Sequence, residues 1–207
     1  MSPLFWPEKG VVIYLASASP RRRQMLASLG LPYVPLLPVV DEPVAEPGEN
    51  PDSFVCRSAK SKGLDCLSRY PEARDGVIIA ADTIVCLEKM ILGKPRDEKN
   101  ALEILNFLNG KSHFVDTGVY CAYPGGETSF ATRSVVKFAR WPESVLAAYA
   151  ASGEPLDKAG GYAIQENGAF LIEGIMGSWT NVVGLPLDEL VEFLLLKKFI
   201  APAGAIA

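Results

Sequence analysis

Apolar residues follow two rhythms along the chain: short unbroken runs, and longer stretches that recur at about a helical turn. Val11-Val12-Ile13-Tyr14-Leu15 is an unbroken run and predicts a buried strand. Met25, Leu26 and Leu29 follow at helical spacing, with Ser19 placed as N-cap, Pro20 at the first helical position and Gly30 at C′. Tyr33 to Val40 is apolar but holds Pro35 and Pro38, which predicts an edge strand or extended segment. Phe54, Val55, Ala59, Gly63, Cys66 and Tyr70 recur near helical spacing and predict a helix over Pro51 to Tyr70. Val77-Ile78-Ile79-Ala80-Ala81 predicts a second buried strand, stopped by Asp82-Thr83 and resumed by Ile84-Val85-Cys86-Leu87. Asp97 caps a helix with Ala101, Ile104, Leu105 and Leu108 on one face and Gly110 at its end. Phe114 to Tyr123 and Ser129 to Ala139 flank Pro124-Gly125-Gly126 and predict a long hairpin. A short helix opens at Trp141-Pro142-Glu143 and stops at Gly153. Ala169 to Ile172 and Asn181 to Leu185 read as short extended pieces, and the last helix carries Leu190, Val191, Leu194 and Leu195. The first ten residues read as an irregular lead-in, and the tail from Ala201 as frayed.

Strand-helix units beside a hairpin favour a mixed-sheet α/β or α+β fold over a doubly wound one. At 207 residues the expectation is a single domain, 1–207, with two lobes around a cleft. Composition changes the picture in three ways. An apolar content of 49% is ample for a core, and no apolar run approaches the roughly 18 residues that span a bilayer. A net charge of −4 with interspersed signs speaks against a nucleic-acid polymer or an anionic membrane as partner. Cys56, Cys66, Cys86 and Cys121 lack C-x-x-C spacing and read as reduced core thiols of a cytoplasmic protein without a signal peptide. His113 is the single histidine and reads as a hydrogen-bonded structural residue.

Against that acidic background, Arg21-Arg22-Arg23 stand in the first turn of a helix, where cations oppose the macrodipole. First-turn N–H groups, the Ser17 and Ser19 hydroxyls and guanidinium groups together suit an anion, most simply a phosphate. A solvated basic turn with an ordinary cap is the plainer alternative. Asp82, between two apolar runs, is costly to bury alone. Either the strand ends there at a cleft, with Asp82 as general base or metal ligand, or the carboxylate is paired; an Asx-type turn between hairpin strands is the plainer alternative. Lys62 falls at the edge of an apolar stripe, either snorkelling or aimed into a cleft. Asp41-Glu42 reads as a solvated acidic loop, Gly93-Lys94-Pro95 as a tight turn with an exposed lysine, and Gly160-Gly161 as a turn or a close backbone approach to a ligand.

Five segments together resemble one family. Leu15-Ala-Ser-Ala-Ser-Pro-Arg-Arg22, Ala81-Asp-Thr-Ile-Val85, Gly93-Lys-Pro95, Asp157-Lys-Ala-Gly160 with Tyr162-Ala-Ile-Gln165, and Val183-Gly-Leu-Pro-Leu187 occur in the order and spacing of Maf proteins. These are nucleoside triphosphate pyrophosphatases, also called septum formation proteins. The resemblance runs from about Val11 to Phe199. It implies an inosine-triphosphatase-like fold, a divalent metal cation (Mg²⁺ or Mn²⁺) and a cytoplasmic homodimer. It implies hydrolysis of a nucleoside triphosphate to the monophosphate and pyrophosphate. By resemblance, Asp82 activates water or holds a metal-bound water, and Glu42 stands near a metal. Arg21 and Arg22 grip the triphosphate, Lys62 and Lys94 neutralise it, Ser17 hydrogen-bonds it, and Arg23 is a solvated neighbour. Arg21, Thr83 and Gln165 match the positions tied to specificity. Asp82-Thr83 and Tyr162-Ala163-Ile164-Gln165 resemble the dTTP/UTP subgroup, which implies action on dTTP, UTP and modified pyrimidine nucleotides. The competing readings are a 7-methyl-GTP pyrophosphatase and a nucleotide-binding inhibitor of septum formation acting without turnover. The chain departs from the family pattern at Ala81, where Gly is usual, at Gly160-Gly161, where Gly-Ala or Gly-Ser is usual, and at Glu166-Asn167.

Overall fold

A computed structural model describes residues 3–41, 43–88 and 90–204. In chain order its strands are β1 (Phe5–Pro7), β2 (Ile13–Ala16), β3 (Val34–Leu36), β4 (Val77–Leu87), β5 (Met90–Leu92), β6 (Ser112–Tyr123), β7 (Gly126–Phe138), β8 (Ile172–Met176) and β9 (Ile200–Pro202). Its helices are α1 (Pro20–Ser28), α2 (Pro51–Arg69), α3 (Glu98–Leu108), α4 (Glu143–Ala150), α5 (Trp179–Val183) and α6 (Leu187–Leu196). The main sheet runs β3-β2-β4-β6-β7-β8, with β5 paired to β4. β2 is parallel to both β3 and β4, whereas β4–β5 and β7–β8 are antiparallel, so the fold is mixed α/β as expected. The Pro-bearing segment forms β3 at one end of this order, where a missing backbone donor costs no ladder bond.

The chain divides into two compact units. The first holds residues up to Asp82, Thr117–Ala131 and the stretch from Gly184; the second holds Thr83–Asp116 and Thr132–Val183. In the first unit every residue of β2 is buried, as a central parallel strand requires. Tyr14, Ala16, Leu36, Ala59, Cys66, Ile78, Ala80 and Tyr120 build its core. Asn50 caps α2 by accepting from the Asp52 N–H at 3.0 Å, and Pro51 follows at the first helical position. Gly63 lets α2 lie close: a Cβ there would stand 2.4 Å from Tyr120 Cδ1 and 3.5 Å from the Ala80 Cβ. In the second unit Val85, Leu92, Leu105, Leu108, Phe138, Leu146, Tyr162 and Leu171 share one core. Asp97 caps α3 by accepting from the Asn100 N–H at 2.7 Å, and its apolar face buries Ala101, Leu105 and Leu108.

Four expectations are corrected. The strand read as stopping at Asp82-Thr83 runs unbroken from Val77 to Leu87, because a partner for the Asp82 carboxylate removes the reason for a turn. Residues 181–185, read as extended, begin instead within α5, where the buried Asn181 donates to the Val115 carbonyl at 3.0 Å and to Ser134 Oγ at 2.9 Å. Ala169–Leu171 belong to a 3₁₀ turn, Asn167–Leu171, and the strand starts only at Ile172. The lead-in and tail pair as β1 and β9, with Phe5 opposite Pro202, so Ala201 and Pro202 are ordered rather than frayed.

Candidate active site

The first unit carries most of the expected site. β2 and β4 run parallel with Ala16 opposite Ala80, so Ser17 and Asp82 leave this pairing on the same, carboxyl, side. Ligand sites in α/β sheets form at that end of the strands. Ser17 is buried. Its N–H donates to the Leu36 carbonyl at 3.1 Å, and its Oγ accepts from the Ser19 N–H at 3.2 Å. That arrangement leaves the Ser17 hydroxyl proton to point at an acceptor. Ser19 occupies the N-cap position without a side-chain cap bond, so the α1 mouth is not closed by its own hydroxyl. Arg21 and Arg22 lie in the first turn of α1, the end of a helix that favours an anion.

The three arginines have different jobs. Arg22 is buried, and its Nε donates to the Gly184 carbonyl at 2.7 Å. Gly184 has φ +119°, a conformation that side chains rarely adopt, which explains a glycine in the Val183-Gly-Leu-Pro-Leu187 segment. Burial pulls the Arg22 guanidinium below its ordinary value, the Asp82 carboxylate opposes this, and Arg21 adds to the lowering. Arg23, expected to be a solvated neighbour, instead clamps the turn: its Nε and Nη2 donate to the Ser17 carbonyl at 3.3 and 3.2 Å.

Lys62 Nζ forms an ion pair with Asp82 Oδ1, both side chains being mostly buried. The snorkelling alternative for Lys62 therefore fails: the ammonium turns onto β4, and the close seat that Gly63 gives α2 over Ala80 sets its reach. Glu42 lies outside the described residues, and its neighbour Asp41 is exposed.

The second unit carries Thr83, Lys94 and Gln165, with Lys94 and Gln165 exposed. Three of the resembling segments meet here. The Gly160 N–H donates to the Gly93 carbonyl at 3.1 Å. A Cβ at Gly160 would stand 2.8 Å from Val85, and one at Gly161 would stand 3.2 Å from Pro95. Gly160 and Gly161 have φ +70° and +71°, so the paired glycines make the turn and let it seat closely on the Val85 and Pro95 side chains. Sequence reasoning missed the polar group beside them. Lys158 is buried, and its Nζ donates to the Glu154 carbonyl at 2.8 Å and to Asp157 Oδ1 at 2.7 Å. Its place in a short polar run, with no periodicity around it, gave no sign of this. His113 is structural as expected: Nε2 shares a hydrogen bond with the Tyr162 hydroxyl at 2.7 Å.

The donor set suits a hard cation. Among the described residues no group of three or more His, Cys, Asp or Glu side chains forms a metal cage. Mg²⁺ and similar ions are, however, commonly held by one or two carboxylates together with substrate phosphates and water. Asp82, a carboxylate beside cationic groups suited to phosphate, fits that mode.

Comparison with known proteins identifies the family. The family model described as Maf, Maf-like protein, matches residues 12–197. A protein of Nitratidesulfovibrio vulgaris is 45% identical over 188 residues, 89% of this chain and 87% of that one. One of Desulfotalea psychrophila is 46% identical over 191 residues, covering 91% and 96%, and one of Neisseria meningitidis serogroup B is 39% identical over 198 residues, covering 94% and 98%. All three are named dTTP/UTP pyrophosphatase. The solved structure of the Staphylococcus aureus Ham1 protein aligns with 61% of this chain and 71% of its own, at 13% identity and a TM-score of 0.42, too low to add to the fold assignment. With one family model spanning the strand-turn-helix, the Asp82 strand and the Gly160 turn alike, the chain belongs to the Maf family.

Proposed function

We infer that this protein hydrolyses dTTP and UTP to the monophosphate and pyrophosphate. The observation that carries the reading is the Lys62–Asp82 ion pair set beside the arginine-bearing mouth of α1. Relatives of nearly equal length with the name dTTP/UTP pyrophosphatase support it.

Hydrolysis to pyrophosphate needs water to attack the α-phosphorus while the outer two phosphates leave. Positioning and charge neutralisation supply most of the catalysis in phosphoryl transfer. Asp82 accepts the proton of the attacking water, and Lys62 fixes the carboxylate's orientation through Oδ1. Arg21, Arg22, Lys62 and Lys94 set four cations against a tetra-anion in a protein of net charge −4. Ser17 donates its hydroxyl proton to a phosphate oxygen. Asp82 and Glu42 would hold Mg²⁺ or Mn²⁺, which supplies further neutralisation of phosphate charge. Gln165 offers a donor and an acceptor for the O4 and N3–H edge of thymine or uracil, with Arg21 and Thr83 as the other selecting positions. Four free cysteines suit a reducing cytoplasm, and the family resemblance supports a homodimer.

The test is a panel of nucleoside triphosphates with Mg²⁺ or Mn²⁺, following monophosphate and pyrophosphate. The expected result is dTMP or UMP with stoichiometric pyrophosphate. Release of orthophosphate, or a preference for 7-methyl-GTP, would overturn the reading. Division arrest that persists in cells expressing Asp82→Asn would assign that effect to nucleotide binding without turnover.

A further inference from the structure

We propose that Glu154 is a positioning residue for base selection, holding the segment that presents Gln165. The proposal rests on the reading of Gln165 as the group that meets the base.

Gln165 is exposed and lies in a stretch without regular secondary structure. Such a side chain selects a base only if the backbone on both sides is held. Glu154 supplies the hold from one carboxylate. Its Oε1 accepts from the Gly168 N–H at 3.0 Å and from the Tyr149 hydroxyl at 2.9 Å. Its Oε2 accepts from the Asn167 N–H at 3.2 Å. These two N–H groups open the 3₁₀ turn Asn167–Leu171, so the carboxylate caps that turn from outside. On the other side of Gln165, the Ala163 N–H donates to the Tyr149 oxygen at 3.3 Å. Tyr149 thus ties residue 163 to the same carboxylate that ties residues 167 and 168. Burial and the Glu154 carboxylate push the Tyr149 phenol upward, so it remains a donor.

Two further observations tighten the segment. Gly168 packs so closely that a Cβ would stand 2.5 Å from the Tyr149 hydroxyl and 2.8 Å from the Ala163 carbonyl oxygen. Lys158 Nζ, already bonded to the Glu154 carbonyl, stands 3.2 Å from Glu166 Oε2, the side chain next to Gln165. Glu154, Tyr149 and Lys158 therefore hold the chain at positions 163, 166, 167 and 168, on both sides of the exposed Gln165. Through Tyr149, α4 thus reaches into a stretch that contains only short 3₁₀ turns.

The test compares dTTP with dCTP, whose base presents the reversed pattern of donor and acceptor at the same edge. For wild type, Gln165→Ala, Glu154→Ala and the double variant, kcat and KM are measured on both nucleotides. Gln165→Ala is expected to lower the dTTP/dCTP ratio of kcat/KM by at least about tenfold. Glu154→Ala is expected to lower it to a similar degree, chiefly by raising KM for dTTP, and the double variant to add little further. Tyr149→Phe, which keeps the ring, is expected to give a smaller loss in the same direction. If Glu154→Ala does not fold, Glu154→Gln serves: it keeps one acceptor oxygen but faces a second N–H with an amide, and should give an intermediate ratio. A ratio unchanged in the Glu154 and Tyr149 variants while Gln165→Ala lowers it would overturn the proposal and leave the substrate reading standing. A wild-type protein without preference for dTTP over dCTP would instead overturn the substrate reading, and the proposal with it.

Discussion

Asp82 shows how one residue can be conspicuous in a sequence while its partner is not. Its carboxylate interrupts two apolar runs, which marks it at once, but Lys62 looks like any lysine at the edge of a helical stripe. Their pairing supplies what the strand needs in order to continue and what a water-activating carboxylate needs in order to hold one orientation. Asp82→Asn keeps the shape and removes the base. Pyrophosphate release is expected to fall by about 10²- to 10⁴-fold with the folded state retained, as read by circular dichroism. The arginines separate in the same way. Arg21→Ala is expected to reduce dTTP hydrolysis far more than Lys60→Ala, since Lys60 spends its charge on an exposed pair with Glu127. Equal losses in a side-by-side assay would count against the α1 mouth as a phosphate site. Arg22→Lys should lose activity and also lower the denaturation midpoint, because a lysine has no Nε–H to offer the Gly184 carbonyl.

Among the elements, α2 positions the site and glycines set its distance. Glycine in a helix interior ordinarily weakens it, so Gly63→Ala would stabilise an isolated helix by about 1 kcal/mol. Here the added Cβ meets the Tyr120 ring at 2.4 and 2.7 Å, and the expected result is a loss of about 1–3 kcal/mol. Gly118 on β6 faces α2 more severely: a Cβ would stand 2.4 Å from the Val55 carbonyl carbon and 2.6 Å from the Cys56 nitrogen. A ring can turn aside and a helix backbone cannot. Urea denaturation should therefore show a larger loss for Gly118→Ala than for Gly63→Ala. Much of the element plan was legible: the cap at Asp97, the edge strand with its prolines, and the glycine stops follow from local chemistry. Among the misses were a short helix and one interrupted strand. One helical turn at Trp179–Val183 contains too few residues for a period to show, and the charge at Asp82 interrupts the apolar pattern of β4 while its partner Lys62 stands on another element.

At the scale of the whole molecule, one side chain contributes a pH response of stability in the range just below neutrality. The chain has one histidine, and burial pushes His113 down from 6.5 to about 4. Between those values the unfolded chain binds a proton that the folded protein does not. Stability is therefore highest above the upper value, falls as pH drops through the window, and loses nothing more from this group below about 4. The loss from His113 alone amounts to at most about 3 kcal/mol. Denaturation midpoints at about pH 7.5, 6 and 5 should decline in wild type and decline less in His113→Gln, with carboxylates adding to the slope only toward the lower end. A slope unchanged in the variant would show that His113 titrates alike in both states.

By itself the sequence determined the mixed α/β class, the strand-turn-helix with its arginines, and Asp82 as the carboxylate to watch. Each of these depends on neighbours in the chain: hydrophobic period, turn chemistry and the cost of burying a lone charge. The resemblance added the family and the expected reaction. Only the tertiary structure decided which charge meets which. Lys62 on Asp82, Arg22 on Gly184, Glu154 across to Asn167 and Gly168, and β1 on β9 all join residues far apart in the chain or on separate elements. Such pairings depend on how helices seat on strands, to within about an ångström at Gly63 and Gly118, and that distance is set by packing rather than by local propensity.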